Sequence, residues 1–138
     1  MQKYSRTFLT VLSVSCALAL TGCSALPGLG GGQGHLVFEN KSEAVSQGST
    51  DVPAWVPDDA ATIVVDFPAN GPGYMMKFAS KTGVPISAAC VADPDTPTQP
   101  PTSASWWPKQ TPTADRRKCG DTHVARAGGE WYAWSNGN

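Results

Sequence analysis

The chain has little with which to do chemistry. It holds two histidines and four cysteines in 138 residues, and its formal net charge is −1. No basic stripe exists that would track a nucleic acid backbone, so nucleic acid is excluded as a partner. The one basic cluster is Arg116-Arg117-Lys118, which reads as a solvated loop, with contact to anionic head groups as the functional alternative. After residue 20 no stretch is long and apolar enough to span a membrane. There is no Gly-x-Ser-x-Gly nucleophile elbow and no EF-hand spacing. The glycines of residues 28–34 are not followed by Lys-Ser/Thr, so they form no phosphate loop.

What is present starts at the N-terminus. Lys3 and Arg6 precede an apolar run over residues 7–20. As a helix that run covers about 21 Å, short of the roughly 30 Å hydrocarbon core. It reads as a signal peptide, 1–22, and Cys16 leaves with it. Leu20-Thr21-Gly22-Cys23 then resembles the lipobox of bacterial lipoproteins. The resemblance implies cleavage before Cys23, a diacylglyceryl thioether on its sulfur and a fatty acyl group, such as palmitate, on its new amine. Two or more chains, at about 0.8 kcal/mol per buried CH₂, make a stable anchor. The expected location is the extracytoplasmic face of the cell membrane, with the membrane itself as the first partner.

Residues 23–34 read as a Gly-rich tether with a reach of about 18 Å. Residues 35–138 are expected to form one small domain, with its core between 52 and 135. With Cys23 lipidated, Cys90 and Cys119 remain in an oxidising compartment, and a disulfide is expected between them. Closing that loop stabilises by roughly 3.5 kcal/mol in the chain-entropy model. The rival reading is a metal held by Cys90, Cys119, His123 and His35, but the closely spaced ligand pairs of zinc sites are absent. No metal and no cofactor are expected.

The domain reads as mostly β, a small antiparallel sheet of about four to five strands with a disulfide-bounded Pro-rich loop. Residues 35–39 suggest an edge strand, and 40–51 are too poorly patterned to assign. Two prolines make 53–57 extended, with Trp55 laid over the core. Alternation over 62–67 and 74–79 predicts a hairpin. Residues 86–91 suggest a third short strand carrying Cys90. Residues 92–113, with six prolines, read as a long surface loop interrupted by Trp106-Trp107. Gly128-Gly129 predicts a two-residue hairpin turn between 121–127 and 130–135. That register sets Arg126 against Trp131, Ala125 against Tyr132, and His123 against Trp134. Trp131 and Trp134 then lie on opposite faces. The Tyr132–Trp134 face is expected to be buried and Trp131 more exposed, with the Arg126 guanidinium over its indole.

The order Trp55-Val56-Pro57-Asp58-Asp59-Ala60, a hairpin, Cys90, Trp106-Trp107-Pro108, Cys119-Gly120 and a Trp-rich terminal hairpin resembles small uncharacterised lipoproteins of actinobacteria. The likeness covers residues 52–135 and implies a recurring domain with no established activity.

No catalytic set is expected. His123 on a strand opposite a Trp reads as a packed residue. Asp58-Asp59 read as a turn or cap, and Asp93 with Asp95 as at most a weak calcium pair. The tryptophans are the unusual feature. They fill the core of a small domain, or else Trp106, Trp107 and Trp131 offer a flat surface to a ligand. The expected function is a non-catalytic, lipid-anchored envelope protein with an interaction or structural role. A Trp-rich module for an envelope protein or glycan is the alternative, and an enzyme comes last.

Overall fold

A computed structural model describes residues 34–137 apart from Pro97. The expected signal peptide, Cys23 and the expected tether up to residue 33 lie outside the described residues. The elements are β1 (His35–Asn40), α1 (Lys41–Ser46), β2 (Ala61–Asp66), β3 (Tyr74–Ala79), β4 (Val91–Ala92), β5 (Ala114–Cys119), β6 (Thr122–Ala127) and β7 (Glu130–Ser135). The strands form one antiparallel sheet in the order β1-β2-β3-β7-β6-β5-β4.

The sheet has seven strands where four to five are expected. The main addition is β5, Ala-Asp-Arg-Arg-Lys-Cys. It has no apolar alternation, so its sequence reads as a solvated basic loop. Its cations are instead bonded to the fold: the Arg117 Nε donates to the Val84 carbonyl at 3.2 Å, and Arg116 pairs with Asp93 at 3.2 Å. The strand expected over 86–91 shrinks to Val91–Ala92. The Ser87 hydroxyl accepts from the N–H groups of Ala89 and Cys90, each at 3.2 Å. That local bonding holds a turn in place of a ladder.

Lys41–Ser46 is helical because both ends of the first turn are bonded. The Asn40 side chain accepts from the Glu43 N–H at 2.9 Å, and the Glu43 carboxylate reaches back to the Glu39 N–H at 2.6 Å. Ala44 is the buried anchor of this short helix.

Both faces of the sheet are covered. One carries Ile63, Val65, Met76, Phe78, Val124, Trp131 and Ala133, packed under Ala44, Val52, Val56, Ala60 and Val84. Trp55 tilts onto Phe78, with centroids 6.4 Å apart, and is half-buried. The other face carries Met75, Ala125 and Trp134 under Ala104, Trp106 and Trp107 of the Pro-rich loop. The β6–β7 register is the one that Gly128-Gly129 predicts, with both glycines at positive φ (57° and 86°).

The expectation that Trp131 is the exposed indole is overturned. Trp131 is 5% exposed and Trp134 1%. The segment between α1 and β2 covers the Trp131 face, and Gly83 packs so closely that a Cβ there would lie 2.9 Å from the Trp131 ring. Arg126 turns away from that ring and pairs with Asp115 at 3.9 Å.

Cys90 and Cys119 are disulfide-bonded, with Cα atoms 4.1 Å apart. They sit one step beyond the Val91–Lys118 pair. The bond therefore closes the open end of the β4–β5 ribbon and fixes both ends of the long loop.

Candidate functional site

The chemistry-bearing side chains gather on the face covered by the Pro-rich loop. Period two brings them there: His35, Asp66, His123 and Trp134 all project to one side of the sheet. Two buried carboxylates organise them.

Asp93 opens the loop just after β4, and its residue is 7% exposed. Its carboxylate accepts from His123 Nδ1 at 2.7 Å and from the Asp95 N–H at 3.1 Å, with Arg116 at 3.2 Å. Burial pushes the Asp93 carboxyl up, but the His123 and Asp95 hydrogen bonds and the Arg116 charge outweigh it and hold it below the ordinary range. With its proton fixed on Nδ1, His123 accepts at Nε2 from the Lys118 ammonium at 3.2 Å. Its ring stacks on Trp134, with centroids 5.4 Å apart.

Asp66 is the second carboxylate, at 6% exposure. One oxygen bonds His35 Nδ1 across the β1–β2 pair, and the other accepts from the Trp106 indole N–H at 2.9 Å. The Trp134 N–H donates to the Thr98 carbonyl at 2.9 Å. Trp107 meets Tyr132 and Trp134 edge-on, at 5.5 Å in each case. Each such ring pair contributes about 0.5–1.5 kcal/mol beyond the area buried. The loop is thus latched to the sheet by Asp93, Trp106, Trp107 and Thr98.

Two clefts border this assembly. A polar one of about 150 Å³ is lined by Thr98, Lys118, Asp121, His123, Ser135, Asn136 and Gly137. The Ser135 hydroxyl donates to Asp121 there, at 3.2 Å. The other, about 330 Å³, lies within the loop, with Trp107 on its wall beside Gln99, Thr102, Ser103, Lys109 and Thr111.

Of the three tryptophans expected to meet a ligand, Trp106 and Trp107 come together, centroids 5.8 Å apart and half-buried, while Trp131 lies in the core on the opposite face. Asp93 and Asp95 make no calcium pair, because the Asp93 carboxylate is bonded to His123, Arg116 and the Asp95 N–H. Asp59 is a cap: it accepts from the Ser80 hydroxyl and the Lys81 and Thr82 N–H groups, which hold its carboxyl down at about 2.

Sequence reasoning missed the Asp66–His35 pair, and missed Arg116 and Lys118 as partners of Asp93 and His123. For His35 and Asp66 a signal existed, since each occupies the polar side of a period-two strand. For Asp93 no local signal existed, because its partners lie 23 and 30 positions away.

Compared with known proteins, the chain matches no family model, no curated protein and no solved structure.

Proposed function

We propose that this protein is a lipid-anchored domain of the bacterial cell envelope with a non-catalytic interaction or structural role. The observation that carries the non-catalytic part is the occupation of His123. Asp93 takes Nδ1 and the Lys118 ammonium takes Nε2, so the imidazole has no free nitrogen with which to activate a nucleophile. The Ser135 hydroxyl, which lines the same cleft, is bonded to Asp121 and not to the histidine. His35 bonds Asp66 through Nδ1, Asp66 also fixes Trp106, and no hydroxyl or thiol among the described residues is bonded to the His35 Nε2. These groups latch a loop.

The anchor rests on the N-terminal sequence, on Lys3, Arg6 and the lipobox ending in Cys23, and on the likeness to small actinobacterial lipoproteins. Membrane fractionation and the intact mass of the processed chain test it. The wild-type chain should begin at Cys23 and carry acyl mass; Cys23→Ala should leave it unprocessed or lipid-free. A wild-type N-terminus at any other residue sinks the reading.

A glycan-binding role is the second reading, favoured by the cleft that sets Trp107 beside Gln99, Lys109 and Thr111. An aromatic wall with amide and hydroxyl neighbours suits a sugar ring. Titration of envelope glycan fragments against tryptophan emission tests it, and an unchanged spectrum at saturating glycan removes it.

A further inference from the structure

The sheet has two edges, β1 and β4. β4 is two residues long and closed by the adjoining disulfide, whereas β1 runs for six. Along β1 the backbone groups alternate in direction. The Phe67 N–H donates to the Gly34 carbonyl directly opposite, at 2.9 Å. Gly34, Leu36 and Phe38 therefore turn their N–H and C=O groups toward β2, and His35, Val37 and Glu39 turn theirs outward. The Glu39 N–H is taken by the Glu43 carboxylate at 2.6 Å. Among the described residues, no hydrogen bond from a turn, loop or side chain reaches the outward N–H and C=O of His35 or Val37. Val37 is also one of the few large apolar side chains left in solvent, at 58% exposure.

We propose that β1 pairs with β1 of a second copy, antiparallel, with the two-fold axis at Leu36. His35 of each copy then faces Val37 of the other, and four backbone hydrogen bonds use each free outward group once. Leu36 meets Leu36 of the second copy as a close, non-hydrogen-bonded pair, on the face where it already packs against the main core. A register centred on Val37 would set His35 against Glu39, whose N–H is already held by Glu43. The cap of α1 thereby selects the register.

The occupant follows from where the chain outside the structure attaches, and here the inference rests on the lipid anchor proposed above. The segment from Cys23 enters at Gly34, beside this edge. With only ten residues between Cys23 and Gly34, an anchor at Cys23 keeps every copy's β1 near one membrane plane. So few paired residues bury less than the roughly 1,200 Å² of stable complexes. Pairing is accordingly weak in solution and driven by concentration on the membrane.

The test is cysteine cross-linking of the full chain in membranes. Cα atoms in a close antiparallel pair lie about 4.5 Å apart, within disulfide reach. On oxidation Leu36→Cys should give a disulfide-linked dimer, and Val37→Cys, which faces His35 of the second copy, should give far less. Val37→Pro removes an N–H that β1–β2 pairing does not use, so it should abolish the Leu36→Cys link while leaving the melting curve unchanged. If it unfolds the chain, Val37→Lys should show the same loss. Equal linking at both positions, no linking, or a link to a different protein overturns the pairing. The parent chain, without an added cysteine, controls for Cys23. Lipidated protein without a link removes the pairing and leaves the anchor. A Leu36→Cys link above the parent in lipid-free protein upholds the pairing and removes the anchor.

Discussion

The His123 imidazole lies on the Trp134 indole across β6 and β7, with ring planes 25° apart and centroids 5.4 Å apart, while its edge bonds Asp93 at 2.7 Å. One residue thus joins the central strands to the start of the loop that covers them.

His123→Phe should keep the stack and lose the bond, leaving the buried Asp93 carboxylate with Arg116 and one N–H. The expected loss is about 1–3 kcal/mol of unfolding free energy. The pH dependence follows from the depressed Asp93 carboxyl. Its stabilisation is present above the unfolded value of about 3.9 and is lost as pH falls through the lower folded value. In His123→Phe the acid limb should begin at higher pH. Urea unfolding from pH 2 to 7 checks both; an unchanged acid limb would show that Asp93 does not depend on the histidine.

Tyr74 and Tyr132 are both raised to about 12. Burial is the main cause in each, joined for Tyr132 by its hydrogen bond to the Glu130 carboxylate at 3.0 Å. Raised values contribute stability that is present below the unfolded value of about 10 and lost as pH climbs to the folded one. Phenolate absorbance of the folded domain should therefore stay low at pH 10.5 and rise near 12. A titration midpoint at 10 in folded protein would contradict this packing.

Cys90→Ser, or reduction, should cost roughly 2–5 kcal/mol. Because the bond closes both the β4–β5 ribbon and the loop, tryptophan emission should shift to the red as Trp106 and Trp107 leave their seats. Native mass spectrometry should find the Cys90 and Cys119 peptides joined before reduction. Two alkylatable thiols in the native protein would rule the bond out.

The parts of this fold that were legible in the sequence are those with period-two patterning or turn chemistry. Gly128-Gly129 fixed the β6–β7 register, and the alternation of residues 74–79 matched β3 to the residue. β5 was illegible because its stabilising partners, Asp93 and the Val84 carbonyl, are remote, so its charges mimic a solvated loop. The burial of Trp131 was illegible for a related reason. Alternation separates two faces, but it does not say that a second segment will cover the one expected to meet solvent. The loop over 92–113 was read as surface because prolines exclude it from a ladder. They do not prevent its indoles from packing on a sheet.

The position of β7 has a consequence in time. β1-β2-β3 and β4-β5-β6 are two half-sheets, each made of neighbours, and β7 alone joins them through β3 on one side and β6 on the other. It is also the last strand in chain order. At roughly 5–20 residues per second, several seconds separate the emergence of β3 from that of its permanent neighbour. Until then the inner edge of β3 is bare, and Trp106 and Trp107 have been made before the floor on which they rest. A nascent chain of this protein spends that interval with aromatic surface uncovered, until β7 arrives.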